Sequence, residues 1–223
     1  MFTYKNWEKV CISFSNKGKC GKTAIEVLDK KNTDGFLIFK HDVETSPERA
    51  LDIAKIESKY MHKGSYYVQA YLLDSDKNVR ILKQIKELGH EVTYHHDVLD
   101  SCSGNFESAI QEFEKMLNKF RQNGFDVKTV CQHGNPIKNR IGYTSNRDFF
   151  RNKDIELKYK NISDVMVNYK NRLNTNYIYI TDSGFKWKIL TDPENNDLND
   201  SSKNDYEFSN IDELVNIVSR NNN

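Results

Sequence analysis

The chain has 223 residues, a formal net charge of +1, charged residues at 29% and aromatic residues at 12%. Such a balance gives no general field for nucleic acid or an anionic membrane, and the aromatic and apolar content excludes a wholly disordered chain. The length suits one sizeable core, so a single domain over residues 1–223 is expected.

The N-terminal MFTYKNWEKV lacks the apolar run of a signal peptide, and no later run is long enough to span a bilayer; a soluble, cytoplasmic protein is the expectation. Cys11, Cys20, Cys102 and Cys131 have no CxxC spacing and read as reduced thiols. The apolar run Val10 to Phe14 predicts a strand. NKGKCGKT, Asn16 to Thr23, comes close to the phosphate-loop pattern GxxxxGK[ST], with Asn16 where the first glycine belongs. A nucleotide-binding protein built on Gly21, Lys22 and Thr23 is therefore a remote alternative, and a solvated lysine-rich turn is the simpler reading.

The Asp34-Gly35 turn opens a strand from Gly35 to Lys40 that ends in HDVE. Thr45 with Glu48 makes a capping box, Pro47 suits a first helical turn, and Ala50, Ile53, Ala54, Ile56 and Tyr60 give that helix an apolar face. A strand from Ser65 to Leu72 follows, then a helix capped by Asp74 or Ser75 with Val79, Leu82, Ile85 and Leu88 at helical spacing. Gly89 ends it and HEVTYH is the next strand. Phe106 to Asn123 is a third helix, closed by Gly124, and Val127 to Gln132 a further strand. Alternation of this kind means parallel strands with helices outside, and sites at the C-terminal strand ends. Beyond Pro136 the pattern weakens: a loop from Arg140 to Asp154, strands at Asp164 to Tyr169, Tyr177 to Thr181 and Trp187 to Leu190, a mobile polar spacer over 192–205, and a helix from Ile211 to Ser219 with Asn210 and Glu213 as its capping box.

The strand ends carry the chemistry. One delivers His41, Asp42 and Glu44, the next His95, His96 and Asp97, and a third His133. Alternate side chains of a strand share a face, so Lys40, Asp42 and Glu44 point one way and His41 the other. Of two carboxylates on one face, one can bind a divalent ion and the other can take a proton from the ion's water. A carboxylate with two histidines is a common hydrolytic metal set. Its N/O donors favour zinc first, with nickel, cobalt, iron and manganese left open. A lone strand-end histidine is usually a surface or capping residue; the repetition at successive strand ends points to a metal. His90, just after Gly89, reads as structural, His62 as a solvated helix-end residue, Asp97 and Asp100 as caps, and Cys131 as core.

In order, FLIFKHDVETSPERAL, SYYVQAY, GHEVTYHHD, CQHGNP, YTSNRD and YITDSGFKW resemble the polysaccharide deacetylase (NodB-homology) superfamily. More closely they resemble its WbmS-like branch, associated with lipopolysaccharide O-antigen loci. The likeness runs from about Phe36 to Trp187. It implies an α/β fold, a distorted (β/α) barrel of parallel strands with outer helices. It also implies metal-dependent removal of an N-acetyl group from a sugar of a surface polysaccharide or its precursor. Carried over residue by residue, Asp42 is the general base, and Glu44 and His95 are metal ligands. The family's usual second histidine, four residues after the first, falls on Leu99, so the remaining ligand is open among His133, His96, Asp97 and Asp100. His133, if not a ligand, could protonate the leaving amine. Asp182 is a second catalytic candidate, orienting a histidine or touching the sugar. Lys40, His96, Asn135 and Trp187 are candidates for lining the substrate, with Tyr94 and Tyr143; Lys40 could instead pair with Asp42. A catalytically inactive sugar-binding or scaffold protein on the same fold is the alternative.

Overall fold

The computed structural model describes residues 3–30, 35–137, 139–182, 186–190, 193 and 206–220. Six parallel strands pair strictly in chain order: β1 (Gly21–Lys22), β2 (Leu37–Val43), β3 (Gly64–Gln69), β4 (Glu91–His96), β5 (Thr129–Gln132) and β6 (Ser163–Asp164). Each strand lies beside its predecessor, and the sheet curls into a half-barrel flanked by helices. A second, antiparallel sheet consists of β7 (Tyr179–Thr181), β8 (Lys188–Leu190) and β9 (Tyr206–Glu207).

The helices start where short polar side chains can take up free backbone N–H groups. Ser75 accepts from Asn78 N–H ahead of α4 (Asp76–Glu87), and Asn105 from Ser108 N–H ahead of α6 (Phe106–Gln122). Gly89 and Gly124, at φ +91° and +85°, turn the chain back toward the sheet after these two helices. The outer strand face (Val43, Tyr66, Val68, Val92, Tyr94, Val130) packs in one cluster with apolar residues of α4, α6 and α3 (Pro47–Lys59).

Several local expectations need correction. Val10 to Phe14 lies inside helix α1 (Tyr4–Asn16), not a strand; Val10, Cys11 and Phe14 form a helical stripe buried with Phe39, a spacing hidden when the apolar run is read alone. The cap of α3 is Ser46, not Thr45, and its side chain makes no cap bond. β3 stops at Gln69 and passes into a 3-10 turn over Ala70–Asp74. Of the strand expected from Asp164 to Tyr169 only Asp164 is extended, as the second residue of β6, and Tyr169 begins α9 (Tyr169–Leu173). The helix α10 (Ile211–Arg220) does begin on Asn210, which accepts from Glu213 N–H at 2.9 Å.

His62 is buried, not solvated: its Nδ1 accepts from Gly21 N–H at 2.9 Å and its Nε2 lies 2.9 Å from the Cys11 carbonyl. His90 is structural in the same way, accepting from Gly64 N–H at 2.9 Å with Nε2 3.0 Å from the Ala54 carbonyl. The GKT segment is neither a phosphate cradle nor a solvated turn. Gly21 and Lys22 are a strand, and Thr23 and Glu26 form a reciprocal capping box on α2 (Ala24–Lys30). The N–H groups a phosphate would need are already bonded: Gly21 to His62, Thr23 to Glu26, Ala24 to Ser65 Oγ and Ile25 to Glu91. Asp34 and all of the expected 192–205 spacer except Pro193 lie outside the described residues. Among the described residues no helix is long and apolar enough to cross a membrane.

Candidate metal centre

The side-chain period of the strands decides which residues meet. On β2, His41 turns outward and bonds the buried carboxylate of Glu57 at 2.6 Å. Lys40 and Asp42 turn inward, Lys40 lying over the Tyr67 ring. On β4, His95 turns inward while His96 turns toward the helices. Cys131 of β5 is the register partner of His95. One residue past β5, the His133 N–H donates to His96 O at 2.7 Å and prolongs the ladder. The His133 side chain thus falls on the same face as Cys131, beside His95.

Glu44, His95 and His133 consequently converge. His133 Nδ1 stands 2.9 Å from Glu44 Oε1 and 3.2 Å from His95 Nε2, and His95 Nε2 stands 3.6 Å from Glu44 Oε1. Nitrogen and oxygen ligands of one zinc ion, at bond lengths of about 2.1 Å in a tetrahedron, are about 3.4 Å apart, so these donors fit a single ion. His95 Nδ1 is 3.0 Å from the Cys131 carbonyl; donating there leaves Nε2 as the free acceptor. Of the open choices for the further ligand, His133 is the one beside His95 and Glu44.

The electrostatics match this donor set. Burial alone would lower the His95 pKa, yet the Asp42 charge, the Cys131 contact and Glu44 outweigh it and push it up to about 10. Burial would raise Asp42, but Lys40 and His95 hold it below its ordinary value; Lys40 Nζ lies 2.6 and 2.7 Å from its two oxygens. The hydrogen bond with His95 leads the effects that hold Glu44 low. An imidazole that keeps its proton between two carboxylates marks a place where the fold favours positive charge.

The other site candidates separate. His96 is fully buried among Phe113, Phe149 and Phe150, with Nε2 2.9 Å from Asp164 Oδ2, so it cannot touch a substrate: it stands one residue from His95 and hence on the opposite face. Leu99 is buried in the apolar core, as is Tyr94. Asp97 occupies the N-cap position of α5 (Val98–Ser101) without a side-chain cap bond. Asn135 is not among the residues that line the cavity beside Asp42; its Nδ2 donates to Asp100 at 2.8 Å. Lys40, Asp42 and Glu44 line a cavity of about 1690 Å³ that also reaches Tyr179, Trp187 and the exposed Asp182. Trp187 stacks on Trp7 with ring centroids 6.2 Å apart.

A group that sequence reading did not assemble holds His133 in place. The Asp100 carboxylate, whose side chain is 3% exposed, accepts from Arg140 Nε and Nη2, Asn135 Nδ2, Tyr143 OH and Asn146 Nδ2. Asn146 Nδ2 also donates to the His133 carbonyl at 2.9 Å. Arg140 and Asn146 sit in the aperiodic stretch after Pro136, where spacing carries no signal; the polar residues there were the available hint. Comparison with protein-family models, with curated proteins and with solved structures returns no match for this chain.

Proposed function

We propose that the chain is a metal-dependent hydrolase that removes an N-acetyl group from a sugar of a surface polysaccharide or its precursor. One observation carries the reading: Glu44, His95 and His133 present donors within 3.6 Å of one another, with the ionised Asp42 on the same face. A divalent ion held there, zinc first among the candidates, would polarise the acyl carbonyl and activate water. Asp42 takes the proton of the attacking water, and Lys40 keeps that carboxylate ionised between turnovers. His133 acts as a ligand, since its Nδ1 faces Glu44 and His95. Trp187 and Tyr179 offer apolar faces to a sugar ring in the cavity, and Asp182 stands in its lining for a hydroxyl or amide. The sugar class and the full distorted (β/α) barrel follow from the family resemblance, with which a parallel half-barrel is compatible.

The test is acetate release from N-acetylated oligosaccharides after loading with zinc. Turnover that is lost in Asp42→Asn and in Glu44→Gln supports the reading. Stoichiometric metal with no acetate from any such sugar rejects it in favour of a sugar-binding protein on this fold, and that rival has its own support in the Lys40 ammonium that covers both oxygens of Asp42.

A further inference from the structure

A second donor set shares His95. Asp42, His95 and Cys131 each offer a ligand atom, and these atoms lie within 4.8 Å of one another. The set draws on separate strands: Cys131 and His95 are register partners on β5 and β4, and Asp42 reaches in from β2. Cys131 is buried in a small core cluster with Tyr67 and Met166, at the edge of the charged group. Its sulfur lies within ligand reach of the Asp42 carboxylate and the His95 imidazole, and its thiol hydrogen bond is a weak one, at 3.4 Å to the carbonyl of Gln132. Lys40 already bonds Asp42, yet a carboxylate has about four lone-pair sites and can serve a cation as well.

We propose that Asp42, His95 and Cys131 form a thiolate-containing station for a soft divalent cation of the zinc, cobalt(II) or cadmium class, distinct from the Glu44–His95–His133 set. On binding, a metal–sulfur bond forms, the S–H bond breaks, and the proton leaves to solvent. The sulfur donor makes this station discriminate: thiolate favours zinc-like ions over magnesium or manganese, a preference that Glu44, His95 and His133 alone would give less strongly. If Asp42 is the base of the proposed hydrolysis, a cation in this station removes that base and inhibits. The inhibition rests on the proposed function; the station itself does not.

Cobalt(II) titration of the reduced full-length protein, followed by absorption spectroscopy and equilibrium dialysis, tests it. The expected result is a near-ultraviolet sulfur-to-cobalt charge-transfer band in the wild type. Cys131→Ser and Cys131→Ala should lose it, whereas Cys20→Ser, which alters an exposed thiol, should keep it. Glu44→Gln should also keep the band, because Glu44 belongs only to the other set. Circular dichroism of both Cys131 variants excludes loss of fold as the cause. Cobalt bound with visible bands but no charge-transfer band overturns the proposal and leaves the hydrolase reading standing. A band that survives both Cys131 substitutions, or no bound cobalt at all, also overturns it. A band obeying the expected pattern, with no acetate released even by zinc-loaded Cys131→Ser, which lacks the station, rejects the hydrolase reading alone.

Discussion

Asp100→Asn should weaken both the fold and the metal centre, although Asp100 touches no candidate ligand side chain. Two donors meet its Oδ1: Arg140 Nε at 2.8 Å and Tyr143 OH at 2.9 Å. Asn135 Nδ2, Arg140 Nη2 and Asn146 Nδ2 meet Oδ2 at 2.8, 3.0 and 2.7 Å. The least damaging orientation of an asparagine points its NH2 at the Oδ1 partners. Tyr143 can rotate its hydroxyl to accept, but Arg140 Nε cannot, and the guanidinium loses its counter-charge in a site that is almost closed to water. A hydrogen bond to a charged group contributes about 1.5–3 kcal/mol, and the remaining bonds weaken with the charge, so the loss is about 2–4 kcal/mol. With a urea m-value of about 3 kcal/mol/M, the upper end of the usual range, the midpoint falls by about 1 M with m unchanged. Asn146 links Asp100 to the His133 carbonyl, so metal affinity should fall by about tenfold. The acid limb changes as well. Burial would raise the Asp100 pKa, but bonds from Arg140, Asn135 and Tyr143 hold it below its ordinary value. Its contribution is therefore present above the ordinary carboxylate range and is lost as pH falls through the depressed pKa; the asparagine variant lacks that pH dependence. Urea melts at several pH values and isothermal zinc titration measure all three effects. A variant within about 0.5 kcal/mol of wild type, with unchanged zinc affinity, would refute the reasoning.

Zinc must displace the proton that His95 otherwise keeps up to about pH 10, so apparent zinc affinity should rise about tenfold per pH unit between pH 7 and 9; a flat profile by competition titration would exclude His95 as a protonated ligand. Glu57→Gln should cost about 2–4 kcal/mol in a denaturant melt, because the fully buried carboxylate accepts from Trp7 Nε1 and Tyr66 OH and pairs with His41. Burial would raise the Glu57 pKa but His41 and the hydrogen bonds keep it low, so its contribution is present above the ordinary glutamate value and disappears as pH falls through the lowered one. Leu99→His, which restores the residue type expected four places after His95, should destabilise by about 2–5 kcal/mol and leave zinc affinity no better, since position 99 is fully buried in the apolar core; tighter zinc binding in that variant would show that the core side can supply a ligand.

The regular part of the fold was legible because its periodicities were long enough to read. α4 and α6 each place an apolar stripe between a polar cap and a left-handed glycine, and both were expected within a residue or so of where they lie. Short elements behaved differently. Val10 to Phe14 has the composition of a strand, and only the wider window from Trp7 reveals a helical face. Ser163–Asp164 adds a strand of just two residues to the sheet, and its pairing with Thr129 and Val130 comes from tertiary contact that local propensity does not encode.

The site divides along the same line. Period-two geometry predicted that Asp42 and Glu44 would share a face and that His41 would oppose them, and it accounts for His133 meeting His95 once the ladder is continued one residue past β5. The same rule applied to β4 removes His96 from any shared site with His95, since neighbours on a strand face opposite ways. His96 instead closes the outer layer through Asp164, on a strand 68 residues later in the chain. What spacing could not provide is the support of His133. Asp100 finds Asn135, Arg140, Tyr143 and Asn146 across sequence separations of 35 to 46 residues, along a stretch with no helical or strand period. Ligand positions on strands follow from alternation, but the loops that hold them follow from packing. An unmarked aspartate such as Asp100 is thereby tied, through Asn146, to the backbone of a candidate ligand, His133.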